Sequence, residues 1–145
     1  MSFFNFISLL LIAAGIAVSQ SGGIDSIAES HIAANVPPAA DFDRLLKRDL
    51  KAHFNGLTVQ YELLRDRPTQ SGTAYPKYYL WVRSIEGGKV VLEGAARLAA
   101  IERTRFEVTS FLAAEKIRSS PSEIDRIFPA ALKKAIVDKA GRAKQ

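Results

Sequence analysis

At Asn55-Gly56 the apolar residues of this chain change their period, and that switch limits the fold more than any other feature. Before it, Phe42, Leu45, Leu46, Leu50 and Phe54 recur at helical spacing, with Arg44, Lys47, Arg48 and Lys51 on the opposite face. Asp41 and Asp43 suit the positive end of that helix, and Asn55-Gly56 suits its close. After it, Val59, Tyr61 and Leu63 alternate with Thr58, Gln60 and Glu62, which predicts a strand.

Three more strands follow. Arg67 to Thr73 reads as a loop, and a second strand runs from about Tyr75 to Ile85. Glu86-Gly87-Gly88 predicts a tight hairpin into a third strand, Lys89 to about Ile101, and the fourth is Arg103 to Leu112. The chain then returns to helical spacing. Ser120-Pro121-Ser122-Glu123 has the form of a capping box, and Ile124, Ile127, Phe128, Ala131, Leu132, Ala135 and Ile136 form a stripe. Pro129 lies inside that stripe and predicts a kink or a split. Lys133, Lys134 and Lys139 suit its negative end, and Gly141 its close. Ala113 to Ile117 suits one further helical turn.

The expected fold is α+β: an N-terminal helix, a four-stranded antiparallel meander and a C-terminal helix, in two layers, with residues 41–145 as a single domain. Gly94, Ala95, Ala96, Ala99 and Ala100 leave the third strand poor in bulk, which lets a helix approach closely or the sheet bend. A helix wrapped by a bent antiparallel sheet resembles cystatin-like and NTF2-like layouts. The resemblance is one of layout without a shared motif, and it transfers no function.

Ahead of this domain, the first 24 residues carry no charge, and Phe3 to Val18 is apolar apart from Asn5 and Ser8. Ala17-Val18-Ser19 has small residues where a signal peptidase needs them. Residues 1–19 are therefore read as an export signal, or as a membrane anchor if uncleaved. The sixteen apolar residues fall short of the roughly 20 that a spanning helix needs. No basic residue precedes them, and the cationic domain behind them would favour a cytoplasmic C-terminus for an anchor. Residues 20–40, with Ser21-Gly22-Gly23 and Pro37-Pro38, are read as a flexible linker.

The chain has no cysteine, which excludes a disulfide framework, a lipoprotein anchor on cysteine, thiolate metal sites and a cysteine nucleophile. All 20 basic residues lie at or after Arg44, against 13 acidic ones from Asp41 onward, so residues 41–145 carry +7. In an exported domain such a balance points to anionic lipid head groups or envelope polymers, and no nucleic-acid motif accompanies it.

No residue pattern announces catalysis. Tyr75, Tyr79 and Trp81 share one strand face and offer a stacking platform for a sugar or peptide, set against ordinary sheet packing. Arg44, Lys47, Arg48 and Lys51 offer a basic helix face, set against a solvated one. Glu62, Glu93 and Glu107 fall on different strands, with nothing to fix their separation. His31 and His53 lack ligand spacing, no Ser sits in a nucleophile elbow, and Gly87-Gly88 is a turn. No cofactor or metal is expected. The expected function is an exported binding or assembly module engaging a protein partner or an anionic envelope surface, without nucleic acid, and with membrane contact through residues 3–18 if these persist. The alternatives are a small enzyme with a pocket lined by Tyr78, Trp81 or Phe106, and a membrane-anchored accessory subunit.

Overall fold

A computed structural model describes residues 22–143. The element order is α1 (Gly22–Asn35), α2 (Ala39–His53), β1 (Thr58–Leu63), β2 (Lys77–Glu86), β3 (Lys89–Ile101), β4 (Arg105–Ala113), α3 (Ala114–Ser119), α4 (Ile124–Ile127) and α5 (Lys133–Arg142). Short 3-10 turns at Pro121–Glu123 and Ala130–Leu132 join the last three helices. The four strands form one antiparallel meander in the order β1-β2-β3-β4, so the α+β class is as expected. The segment read as a signal or anchor, residues 1–19, lies outside the described residues. Among those described, no helix is long and apolar enough to cross a membrane.

The apolar stripe of α2 explains the first core. Leu45, Leu46, Leu50 and Phe54 bury against Val59, Tyr78, Leu80, Val82, Ala96, Leu98, Ala100 and Phe106. Each such aliphatic or aromatic side chain contributes about 1.5–3 kcal/mol when fully removed from water. Phe42 fills the rest, with its ring 5.1 Å from both Tyr78 and Phe106, edge to face. Asn55 and Gly56 take the left-handed conformation (φ 57° and 81°) that ends α2 and turns the chain into β1.

Strand alternation sends the neighbouring side chains of β2 to the opposite face. There Tyr79 and Trp81 join Ala95 and Leu112 beneath Ile117, Ile124, Phe128, Leu132 and Ile136 of the C-terminal segment. Helices thus cover both faces of the central strands: α2 and the sheet make the main sandwich, and α3 to α5 close the reverse side.

Five local expectations are corrected. Residues 20–40 are not a structureless linker, because α1 occupies residues 22–35. It has no apolar stripe to announce it, and its C-terminal end is held by polar contacts. The Asn35 Oδ1 accepts from the Glu102 amide (3.0 Å), its carbonyl accepts from the Arg103 amide (2.8 Å), and Arg103 donates to the Ala33 carbonyl (3.2 Å). β2 begins at Lys77, leaving Tyr75 outside the strand. β4 begins at Arg105 because Glu102 and Arg103 both take positive φ (50° and 63°) to make the β3–β4 turn. The C-terminal helix is split at Pro129, one of the two outcomes expected there. Phe128 and Pro129 are extended (ψ 149° and 141°), as the residue before a proline prefers, and this separates α4 from α5. No capping box forms: the Ser120 side chain caps nothing, and the Glu123 amide bonds the Ser120 carbonyl in a 3-10 turn. Gly141 lies inside α5, which runs on to Arg142.

Candidate functional site

The aromatic platform does not exist as a surface. Trp81 is 1% exposed and its indole Nε1 donates to Glu93 Oε1 (2.7 Å), which also receives Arg83 Nε (2.8 Å). Tyr79 is equally enclosed, with its hydroxyl 2.8 Å from that of Thr69 and its ring 6.0 Å from Phe128. Only Tyr75, 42% exposed, faces solvent. Shared strand face was legible in the sequence; the apolar segment that covers this face lies 40 to 60 residues downstream, and periodicity does not say which face it chooses.

The basic face of α2 is exposed, but most of its charge is answered on the helix itself. Arg44 pairs with Asp41 (3.0 Å), Lys47 with Asp43 (3.0 Å) and Arg48 with Asp49 (2.8 Å). Lys51 has no ion-pair partner among the described residues. The aspartates stand three or four positions before two of these cations, a spacing visible in the sequence. The C-terminal lysines behave alike: Lys133 meets Asp125, Lys134 meets Asp138, and Lys139 reaches across to Glu62 on β1 (2.7 Å).

The three glutamates do not converge. Glu62 lies across from Trp81, Glu93 across from Arg83, and Glu107 across from Ala99, far along the same face. The Lys139 ammonium holds the Glu62 carboxyl below its ordinary range, so it is an ionised surface partner and not a proton donor. His31 sits half-buried on α1, and the His53 ring is 4.9 Å from that of Phe54. No cluster of potential metal ligands occurs among the described residues. The space between α2 and the sheet, where the pocket alternative needs room, is filled by Phe42, Tyr78 and Phe106.

Open clefts remain among the described residues: a shallow one of about 400 Å³ between Glu29 and Ile32 of α1 and the loop at residues 65–70, and two larger ones. One, about 760 Å³, follows the outer edge of β1, between Asp43 and Lys47 of α2 on one side and Glu62, Trp81 and Arg83 on the other. The second, about 800 Å³, lies where β3 outruns β4. Pairing between these strands starts at Gly94↔Ala113, since the chain leaves the sheet there to enter α3. Val90, Val91, Leu92 and Glu93 therefore form one wall of the cleft, facing Ala114, Arg118 and Ser119. Val90 and Val91 are 50% exposed and Leu92 is 36%. Alternation in the sequence placed Val90 to Leu92 in a strand, but not beyond the end of its neighbour.

No family model, curated protein or solved structure matches this chain. The function is therefore read from these surfaces.

Proposed function

We propose that the chain is an exported binding or assembly module of a cell envelope that seats a protein partner in the groove beside Val90, Val91 and Leu92. One observation carries this reading: three consecutive aliphatic residues of a strand lie open to water, half of the six large exposed hydrophobics among the described residues. A contiguous apolar patch of that kind marks an interaction surface more often than a solvated one. The groove offers an extended aliphatic peptide a strand to lie along and small residues, Ala113 and Ala114, to pack against. Export rests on the uncharged apolar tract Phe3 to Val18 and the small residues of Ala17-Val18-Ser19. The alternative partner, an anionic surface, draws less support because Arg44, Lys47 and Arg48 are already paired.

A photo-crosslinking amino acid placed at Val91 in native cells should give a discrete protein adduct that the same probe at Thr73, an exposed loop position, does not. Adducts that are absent, or identical at both positions, overturn the groove. N-terminal sequencing of the native protein tests export: a start at Gln20 supports it, and an intact Met1 on a cytosolic protein overturns it.

A further inference from the structure

The two edges of the sheet are treated differently. At the start of β4, α2 caps part of the outer side: Asp49 Oδ2 accepts the Phe106 amide (2.7 Å), and Arg48 donates to the carbonyl of Thr104, just before the strand (3.0 Å). A register shift after Arg97 leaves Thr109 unmatched and adds a bulge. Capped backbone groups and bulges are how proteins stop strangers from pairing with an edge. Among the described residues, β1 has none of these devices. Its ladder with β2 is regular from Thr58↔Ile85 to Leu63↔Leu80, it contains no Pro or Gly, and no strand among the described residues covers its outer side.

The Leu64 amide bonds the Tyr79 carbonyl (2.9 Å), which fixes the phase of that ladder. Glu62, Gln60 and Thr58 bond inward to β2, and the backbone groups of Val59, Tyr61 and Leu63 point outward. From this geometry we infer that β1 pairs with β1 of a second copy of this chain, antiparallel about a two-fold axis at Gln60, to give a continuous eight-stranded sheet. The occupant of the β1 cleft is thus the chain itself, a surface independent of the Val90–Leu92 groove.

Self-complementarity argues for this occupant and this register. With the axis at Gln60, Val59 and Tyr61 of one copy exchange backbone hydrogen bonds with Tyr61 and Val59 of the other. Their side chains form aromatic–aliphatic cross-strand pairs, each contributing about 0.2–1 kcal/mol. The two Gln60 amides, each both donor and acceptor, face one another, and the Thr58 hydroxyl faces the Glu62 carboxylate. Along the rim, Asp43 lies beside Tyr61, whose hydroxyl it accepts (2.7 Å), while Lys47 lies one helical turn on, towards Val59. Asp43 and Lys47 already pair within each helix (3.0 Å), and the same axis lays the two pairs side by side in opposite order, so that each carboxylate gains a second cation across the interface. Moving the axis to Tyr61 would set Asp43 against Asp43, which like charges disfavour. The short edge makes a small interface, so the pair forms as a concentration-dependent equilibrium.

Because the chain lacks cysteine, a single engineered thiol reads the register directly. Under mild oxidation of the full chain, Gln60→Cys should form a disulfide dimer about tenfold faster than Thr73→Cys, since a non-hydrogen-bonded pair holds its Cα atoms about 4.5 Å apart. Thr58→Cys and Glu62→Cys should cross-link when mixed and not alone. Lys47→Glu should weaken association in sedimentation velocity, and exchanging the pair (Asp43→Lys with Lys47→Asp) should restore it. Circular dichroism controls for folding. Equal rates at Gln60 and Thr73, a monomer throughout a hundredfold concentration range, or cross-linking from Gln60→Cys to a different protein overturns the inference.

Discussion

Gly94 is the tightest point in the sheet. A Cβ there would lie 2.3 Å from the Leu112 carbonyl oxygen and 2.8 Å from the Phe111 ring, distances that real side chains never reach. Since the obstacle includes backbone, the strand pair itself must shift, and Gly94→Ala should cost about 1–3 kcal/mol. Gly141 is the opposite case: it is helical, and nothing stands within 4 Å of its Cβ position. Gly141→Ala should therefore stabilise by about 0.5 kcal/mol, since Ala restricts the unfolded chain and suits a helix. Urea denaturation of both variants checks the contrast in sign. The sequence marked Gly94 only as one of several small residues in a strand. That this position must be Gly follows from the close approach of the β4 backbone at Leu112 and Ala113, with the Phe111 ring, itself 5.2 Å from that of Phe54, closing the remaining space.

At the scale of elements, α2 does two things for the sheet. Its apolar stripe makes the core, and its Asp49 carboxylate caps the backbone of β4. A buried amide left without an acceptor costs about 1–3 kcal/mol, and this one is part-buried, so Asp49→Ala should destabilise by about 1 kcal/mol. Asp49→Asn, which keeps an acceptor, should cost less. Hydrogen exchange at the Phe106 amide should accelerate in the first variant more than at the Leu98 amide, deep in β3. The stripe of α2 and the bounds of β1 and β3 were legible, because burial and local period coincide there. Asp49 read as one more charge on a helix, since its partner is 57 residues away. α1 was legible only as a short helical turn suggested by Ile24, Ile27 and Ile32, because its fastening to Glu102 and Arg103 is polar and long-range. The split of the C-terminal helix was legible at Pro129, whose effect is local, while its packing under Tyr79 and Trp81 was not.

For the molecule as a whole, folding changes the titration of groups that bridge layers. Burial, then the hydrogen bond to Asp43, pushes the Tyr61 hydroxyl from its ordinary 10.0 up to about 12, and burial raises Tyr78 as well. The folded state holds these protons longer than the unfolded chain does. Their contribution is therefore complete below the ordinary tyrosine value of 10.0 and is lost as pH rises above it, for Tyr61 towards about 12. The carboxyls show the reverse sign. Asp43, lowered by Tyr61 and Lys47, and Glu62, lowered by Lys139, stabilise above their ordinary values of 3.8 and 4.5 and cease to do so as pH falls. Tyrosine absorbance in an alkaline titration should show some of the four side chains ionising only as the chain unfolds, and Tyr61→Phe should move that unfolding to higher pH.

The partial capping of β4 has a consequence for crowded conditions. A sheet open along both margins is a unit of unlimited growth, since each added copy presents a fresh margin to the next. Here Asp49, Arg48 and the bulge at Thr109 interrupt one margin. A copy joined through β1 then presents only this interrupted border, which disfavours a further step of growth along the sheet.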